Sequence, residues 1–138
     1  MRAMILAAGL GKRMLPLTAD CPKPLLKVGE KSLIEHQIGR LAAAGVKHVV
    51  VNHFHLGRQL EEALGDGSRF GVSIDYSREA ILLNTAGGII KSLPKLKDDC
   101  FIVVNADIWT EFDFTRLQEI DGHSCLAHLV LVENRDHN

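Results

Sequence analysis

The sequence predicts an α/β fold of three layers, in which a mostly parallel sheet is flanked by helices on both faces. Short continuous apolar runs, typical of strands buried on both sides, alternate along the chain with segments of helical periodicity. We expect residues 1–138 to form one domain, because no linker, repeat or low-complexity tract divides them. The apolar runs cover residues 2–8, 49–52, 101–106 and 127–132, and the alternating segment 72–76 predicts an edge strand.

The clearest helix is predicted to begin at Ser32 and to end at Gly45. Ser32 can cap the helix, and Glu35 supplies the reciprocal half of a capping box. One apolar stripe at helical spacing follows, formed by Leu33, Ile34, Ile38, Leu41 and Ala42. Two further helices are expected at 56–64, ended by Gly65, and at 86–93, stopped before Pro94.

Charge and composition exclude several classes of protein. The formal net charge of −1 creates no global positive field for nucleic acid, so any anion-binding site must be local. The longest apolar runs are far shorter than the roughly 18 residues of a membrane span, and the first run lacks a signal-peptide cleavage pattern. Three cysteines at wide spacing (Cys21, Cys100 and Cys125) are typical of free thiols in a reducing compartment. We therefore expect a cytoplasmic protein.

A glycine loop follows the first predicted strand, where ligands of parallel sheets bind. Gly9 and Gly11 allow the backbone to turn sharply and to present N–H groups to phosphate oxygens, and Lys12 and Arg13 add positive charge. A plain turn with solvated cations is the alternative. The spacing fits neither the dinucleotide-binding fingerprint nor the P-loop. Further along, prolines on both sides of Lys23 stiffen the backbone that presents its ammonium group.

Asn105 and Asp107 come at the end of a later predicted strand. Being two residues apart, they should point the same way at the carboxyl edge of the sheet. A carboxylate there is costly to desolvate unless it is paired or binds a cation. Because Mg²⁺ takes one or two protein carboxylates and fills its other positions with phosphates and water, Asp107 is a candidate metal ligand. The alternative is a helix or turn cap.

The stretches 6–18 (LAAGLGKRMLPLT) and 22–25 (PKPL) together resemble the sugar-1-phosphate nucleotidyltransferase family. The resemblance covers essentially the whole chain. It implies a Rossmann-like nucleotidyltransferase fold, Mg²⁺ as cofactor, and the joining of a nucleoside triphosphate to a sugar 1-phosphate with release of pyrophosphate. It also implies residue roles: catalysis by Arg13 and Lys23; nucleotide binding by Ala8, Gly9, Gly11, Lys12, Arg13, Lys23, Glu79, Thr85 and Gly87; sugar binding by Asn105 and Trp109; and metal binding by Asp107.

Within the family, the stretches 51–53, 65–71 and 105–109 most resemble the branch that transfers uridylyl groups in the recycling of peptidoglycan sugars. UTP is therefore the expected donor. Asn84 and Ala86 make the base-reading segment a hybrid of two family patterns, so guanylyl transfer to mannose 1-phosphate and nucleotidyl transfer to glucose 1-phosphate stay open. A nucleotide-binding module without activity is the alternative of another class.

The chain ends shortly after the predicted strand 127–132. The resemblance implies that family members continue further, and that the continuation holds a second metal-binding aspartate and much of the sugar site. We therefore expect a core domain truncated at its C-terminus or a naturally shortened protein. Apolar sheet surface left exposed in this way would favour a homodimer.

Three other features have competing interpretations. His53 and His55 have metal-like spacing, although residues that line a polar pocket fit the sequence better than a zinc site. Trp109 suits either the flank of a sugar or a packed core. Glu61 and Glu62 are predicted to lie on a solvated helix face.

Overall fold

The computed structural model describes residues 1–97, 100–120 and 126–132 and contains a four-stranded parallel sheet. In chain order its strands and α-helices are β1 (Arg2–Leu6), β2 (Lys27–Val28), β3 (Lys31–Ser32), α1 (Leu33–Ala43), β4 (His48–His53), α2 (Gly57–Leu64), β5 (Ser73–Arg78), α3 (Asn84–Leu96) and β6 (Phe101–Asn105). Short 3₁₀ helices lie at Lys12–Met14, Lys23–Leu25, Ser68–Phe70 and Phe114–Glu119.

The strands lie side by side in the order β5, β4, β1, β6, and every neighbouring pair is parallel. The predicted parallel sheet is confirmed, and so is the edge position of β5. In this register Leu6 of β1 lies between Asn52 of β4 and Asn105 of β6. Because parallel strands end at one edge, three segments leave the sheet close together there. The small antiparallel ladder of β2 and β3 is not predicted from the sequence.

The sheet has a hydrophobic core on each face, as its continuous apolar runs predict. On one face Ile5 packs with Ile38 of α1 and Leu60 of α2, and all three side chains are inaccessible to solvent. On the other face Met4 and Val50 pack against Leu96 of α3. Successive residues of β1 therefore face opposite layers, which is the strand periodicity of two. The three-layer Rossmann-like arrangement is confirmed.

The predicted signals at the ends of α1 are confirmed. The backbone N–H of Ser32 donates to the Glu35 carboxylate at 2.7 Å, and the Glu35 N–H donates to Ser32 Oγ at 3.4 Å. Gly45 follows the helix with φ of +83°, a backbone conformation that glycine adopts without a steric cost. This reciprocal cap satisfies amide groups that the first turn of the helix leaves unpaired.

Three predictions about secondary structure need correction. Helix α3 continues through Pro94 to Leu96, because a proline in the last turn removes a single helical hydrogen bond and α3 closes with Lys97 N–H donating to Leu93 O. Strand β6 is half-exposed rather than buried, since it lies at an edge of the described sheet. Residues 127–132 are exposed and form no ladder with the described strands, so their apolar character does not make them a buried strand here.

Candidate functional site

A cavity of about 400 Å³ opens at the carboxyl edge of the sheet. Its wall comes from five parts of the chain: the end of β1 and the loop that follows, the segment around Lys23, the end of β4, the start of α3, and the end of β6. The residues that line it are Leu6, Ala7, Ala8, Gly9, Arg13, Lys23, Pro24, Asn52, Leu82, Asn84, Thr85, Asn105, Ala106 and Asp107. The structure thus brings together the ends of β1, β4 and β6 at the edge where parallel sheets bind their ligands.

The loop after β1 is held in shape by Thr18. Its hydroxyl donates to the Gly11 carbonyl at 2.9 Å, and the side chain is 3% exposed. Gly11 has φ of +64°, and a Cβ atom there would lie 3.0 Å from Thr18 Cγ2. Gly9 lines the cavity and has open space where a side chain would project. Gly11 and Lys12 are not part of the wall, so they shape the loop or act on a ligand that extends beyond the cavity.

Two cations and one carboxylate face the cavity. The ammonium group of Lys23 forms an ion pair with the carboxylate of Asp107, and the two side chains are 28% and 31% exposed. Arg13 is exposed and lines the same wall. The backbone around Lys23 forms a 3₁₀ turn in which Leu25 N–H donates to Pro22 O at 2.8 Å. This turn brings Lys23 into contact with Asp107, which lies 84 positions further along the sequence.

The same wall offers a limited set of oxygen ligands to a divalent cation. Asp107 supplies a carboxylate, and the amide of Asn105 lies beside it on the wall. No group of three or more His, Cys, Asp or Glu side chains converges anywhere within the described residues. A closed protein cage is therefore missing from this part of the chain, whereas one carboxylate beside a glycine loop would fit Mg²⁺ that completes its shell with phosphates and water.

The start of α3 forms another part of the cavity wall. Asn84 and Thr85 line the wall, next to backbone N–H groups that the first turn of a helix leaves unpaired. Gly87 does not line the wall; a Cβ atom there would lie 2.9 Å from the Leu83 side chain. Glu79 is 7% exposed and lies behind the wall, where both carboxylate oxygens accept hydrogen bonds from the protein.

The remaining predicted residues lie outside the cavity wall. Trp109 is 62% exposed and makes an edge-to-face contact with His36 at 5.2 Å, so the core alternative is wrong. His53 is buried, and its ring contacts the Glu61 carboxylate at 2.7 Å instead of lining a pocket. His55 is exposed beyond the end of β4.

Glu61 is not a solvated residue, which corrects the prediction for this helix face. Its carboxylate accepts two hydrogen bonds from Arg78, at 2.6 and 2.5 Å, besides its contact with His53. The bonds from Arg78 lower the pKa of Glu61 to about 2. Burial raises the pKa of the neighbouring Tyr76 to about 12. Only Glu62 of the predicted pair matches its description, since it is exposed and pairs with Arg58 one turn away.

Sequence reasoning missed Asn52 as a residue of the site. Asn52 is 2% exposed, lines the cavity and hydrogen-bonds the backbone at the end of β1. A signal was available, because a polar residue ends each of two apolar runs, at Asn52 and at Asn105. Asn52 and Asn105 occupy equivalent positions because their strands flank β1 in the same register, which the sequence does not show.

The fold and the site define an α/β protein in which a glycine loop, two cations and one carboxylate line one cavity at the carboxyl edge of the sheet. The chain belongs to the nucleotidyl transferase family, whose model matches residues 2–136. It is 53% identical over 142 aligned residues to N-acetylmuramate α-1-phosphate uridylyltransferase of Neisseria meningitidis, and this alignment covers the whole chain and 62% of that relative. It is 36% identical over 121 residues to mannose-1-phosphate guanylyltransferase of Mycobacterium tuberculosis, covering 88% of the chain and 33% of the relative.

Solved structures show the same fold. A Bacillus anthracis protein, provisionally assigned as a glucose-1-phosphate thymidylyltransferase, superposes with a TM-score of 0.79 at 26% identity, over 86% of this chain and 49% of that one. HddC of Yersinia pseudotuberculosis superposes with a TM-score of 0.76 at 25% identity, over 86% and 52%. The chain thus spans between one third and two thirds of the length of these relatives. None of the described helices is both long and apolar enough to cross a lipid bilayer.

The described cysteines, Cys21 and Cys100, are free thiols, as predicted. The third cysteine, Cys125, lies outside the described residues. The prediction of free thiols is therefore confirmed for two of the three positions.

Proposed function

We propose that this protein transfers a nucleotidyl group from a nucleoside triphosphate to a sugar 1-phosphate and releases pyrophosphate. The observation that carries the proposal is the convergence of Gly9, Arg13, Lys23 and Asp107 in one cavity at the carboxyl edge of the sheet. Such a reaction requires two polyanions to be held together and the charge on their oxygens to be neutralised. A glycine loop, two cations and one carboxylate able to bind a divalent cation match that requirement.

Four residues of the cavity have a role in this reaction. A phosphate oxygen of the sugar 1-phosphate attacks the α-phosphorus of the nucleotide in line, and the bond to pyrophosphate breaks. Gly9 lets the backbone approach the phosphates, and Arg13 binds the β- and γ-phosphates and the leaving pyrophosphate. Lys23 exchanges its pairing with Asp107 for the α-phosphate, where negative charge builds up. Mg²⁺ held by Asp107 would neutralise charge between donor and acceptor phosphates.

We propose UTP as the donor and N-acetylmuramate 1-phosphate as the acceptor, in the recycling of cell-wall sugars in the cytoplasm. The 53% identity to the Neisseria uridylyltransferase supports this choice over the 36% identity to the Mycobacterium guanylyltransferase. We assign the contact with the base to Thr85 and the neighbouring backbone of α3, because Asn84 and Thr85 line the cavity. Asn105 and the exposed Trp109 remain the predicted sugar contacts, and a homodimer remains a prediction.

Two alternatives have specific support. Guanylyl transfer to mannose 1-phosphate is favoured by the several guanylyltransferases among the relatives, at 34–41% identity. A nucleotide-binding module without turnover is favoured by the ion pair between Lys23 and Asp107, because this pair occupies two groups that the reaction needs. The two alternatives differ from the main proposal in the preferred nucleotide and in the release of pyrophosphate, respectively.

Calorimetric titration of the chain with UTP, GTP, CTP and ATP in the presence of Mg²⁺ tests the nucleotide. Pyrophosphate release is then measured for this chain with the 1-phosphates of N-acetylmuramate, mannose and glucose. We expect UTP to bind most tightly and N-acetylmuramate 1-phosphate to give the fastest release. Tighter binding of GTP would favour the guanylyltransferase alternative. Binding without release from any pair would favour the binding module, and no nucleotide binding would refute the proposal.

A further inference from the structure

A buried hydrogen-bond network lies directly behind the wall of the cavity. The side-chain oxygen of Asn52 accepts from the Ala7 N–H at 2.9 Å, and the Asn52 amide nitrogen donates to Glu79 Oε1 at 2.8 Å. Glu79 Oε2 accepts from the Leu83 N–H at 3.0 Å. Asn52 and Glu79 are 2% and 7% exposed. Two buried side chains therefore connect the end of β1 with the segment that leads into α3.

The chemistry of the network determines the orientation of each group. An amide N–H such as that of Ala7 can only donate, so it must face the oxygen of Asn52. The carboxylate of Glu79 can only accept, so it must face the nitrogen of Asn52 and the N–H of Leu83. Neither residue can be replaced by its amide or acid counterpart alone without placing two donors or two acceptors against each other.

The network connects two parts of the cavity wall, which are the glycine loop and the start of α3. Ala7 precedes Ala8 and Gly9 of the glycine loop, and Leu83 precedes Asn84 and Thr85 of α3, and these loop and helix residues line the wall. The connection is tight on the side of α3. A Cβ atom at Gly88 would lie 2.7 Å from the Asn52 nitrogen and 2.9 Å from Glu79 Oε1, so α3 packs directly on the network.

We propose that Asn52 and Glu79 are positioning residues that set the distance between the phosphate-binding loop and the start of α3. The inference rests on the proposed function in that the ligand held between these two parts is a nucleoside triphosphate. Glu79 acts through the backbone of Leu83 and Asn52 acts through the backbone of Ala7. The role of Glu79 in the binding of the nucleotide is then indirect, whereas the family resemblance implies a direct contact with the nucleotide.

An exchange of the two functional groups tests the inference. Asn52→Asp places a carboxylate against Glu79 with no proton donor between them, and Glu79→Gln leaves its amide facing two donors with a single oxygen. In the double variant the glutamine nitrogen donates to the new aspartate, the glutamine oxygen accepts from Leu83 N–H, and the aspartate accepts from Ala7 N–H. All hydrogen bonds and the single negative charge of the network are then restored.

Two measurements are made on the chain and its variants. Calorimetry with UTP and Mg²⁺ reports nucleotide affinity, and amide hydrogen exchange without ligand reports the hydrogen bonds of Ala7 and Leu83. We expect each single variant to bind UTP on the order of 10-fold to 100-fold more weakly and to lose protection at these two amides. We expect the double variant to recover both properties. Glu62→Gln, which removes a carboxylate from an exposed helix position, is the matched control and should resemble wild type in both.

The outcomes separate this inference from the proposed function. Wild-type affinity for UTP in both single variants would overturn the inference. A double variant that binds UTP no more tightly than the weaker of the two single variants would also overturn it. Weaker affinity with unchanged protection at Ala7 and Leu83 would indicate direct contact with the nucleotide and would also overturn it. If the wild-type chain binds no UTP, the proposed function fails. Amide exchange alone then tests whether Asn52 and Glu79 position the backbone. Loss of protection in the single variants with recovery in the double variant would then support the positioning role, and unchanged protection would refute it.

Discussion

Replacement of Gly57 by alanine should destabilise the protein, although alanine favours a helix. Gly57 is the first residue of α2, and a Cβ atom there would lie 2.5 Å from Cε1 and 2.6 Å from Cγ of the His53 ring. The ring cannot readily move aside. It is 5% exposed, it contacts the Glu61 carboxylate at 2.7 Å, and it packs against Tyr76 with ring centroids 5.9 Å apart.

Two opposing contributions set the size of the effect. Alanine in place of glycine gains about 0.5–1 kcal/mol in a helix interior, and less at its first position. Overpacking of a filled interior costs about 1–3 kcal/mol and sometimes more. Because the new atom overlaps a buried ring, we expect the upper part of that range, and hence a net loss of about 1–3 kcal/mol in the free energy of unfolding.

Gly39→Ala is the matched control. Gly39 lies inside α1, is exposed, and has no atom within 4 Å of the place where a Cβ would project. The same substitution should therefore stabilise the protein by about 0.5–1 kcal/mol. Urea denaturation followed by circular dichroism measures both variants. The reasoning would be refuted if Gly57→Ala were as stable as wild type, or if the two substitutions shifted the midpoint in the same direction.

Two further predictions concern charge. Arg13→Ala and Lys23→Ala should each lower the rate of nucleotidyl transfer by about 10²–10³ while the free energy of unfolding stays close to wild type, because both cations lie in short 3₁₀ turns at the cavity and not in the core. The bonds from Arg78 lower the pKa of Glu61 to about 2 from its ordinary 4.5, so this carboxylate stabilises the fold above pH 4.5 and the contribution is lost as the pH falls towards 2. Thermal unfolding of Glu61→Gln should therefore depend less steeply on pH than wild type in that interval.

Each of these predictions has a control variant on α2. Arg58→Ala removes an exposed cation far from the cavity wall and should leave the transfer rate unchanged. Glu62→Gln removes the exposed carboxylate next to Glu61 and should keep the steeper, wild-type pH dependence. Rates within about twofold of wild type for Arg13→Ala or Lys23→Ala would remove that residue from the proposed mechanism. Equal pH dependence of Glu61→Gln and wild type would contradict the role given to its hydrogen bonds.

The sequence by itself predicted the parallel sheet, the three-layer arrangement and the start of α1. These features depend on short-range patterns: a continuous apolar run for β1 or β4, and a cap such as Ser32 with Glu35 for the helix. The same patterns located the glycine loop and Asp107 at the ends of strands. Because parallel strands end at one edge of the sheet, the chain positions of these residues were enough to predict that they would meet.

Local sequence patterns gave wrong predictions of burial where burial depends on which strand or side chain packs against a segment. Residues 127–132 are as apolar as a buried strand, yet they have no ladder partner among the described strands and stay exposed. Glu61 carries the same charge as Glu62 on the same helix, but only Glu61 faces His53 and Arg78 across the gap to β4 and β5. Composition and periodicity cannot distinguish these cases.

Tertiary structure alone decided how the wall of the cavity is supported. Asn52 and Glu79 are separated by 27 positions in sequence, and neither stands in a motif that announces the other. They meet because β4 and β5 are neighbours in the sheet and α3 crosses behind them with Gly88 in contact. Hydrogen bonds between distant buried groups require particular distances and orientations, which only the packed strands and helix supply. The sequence names the groups that can bind phosphate, and the fold determines how far apart they are held.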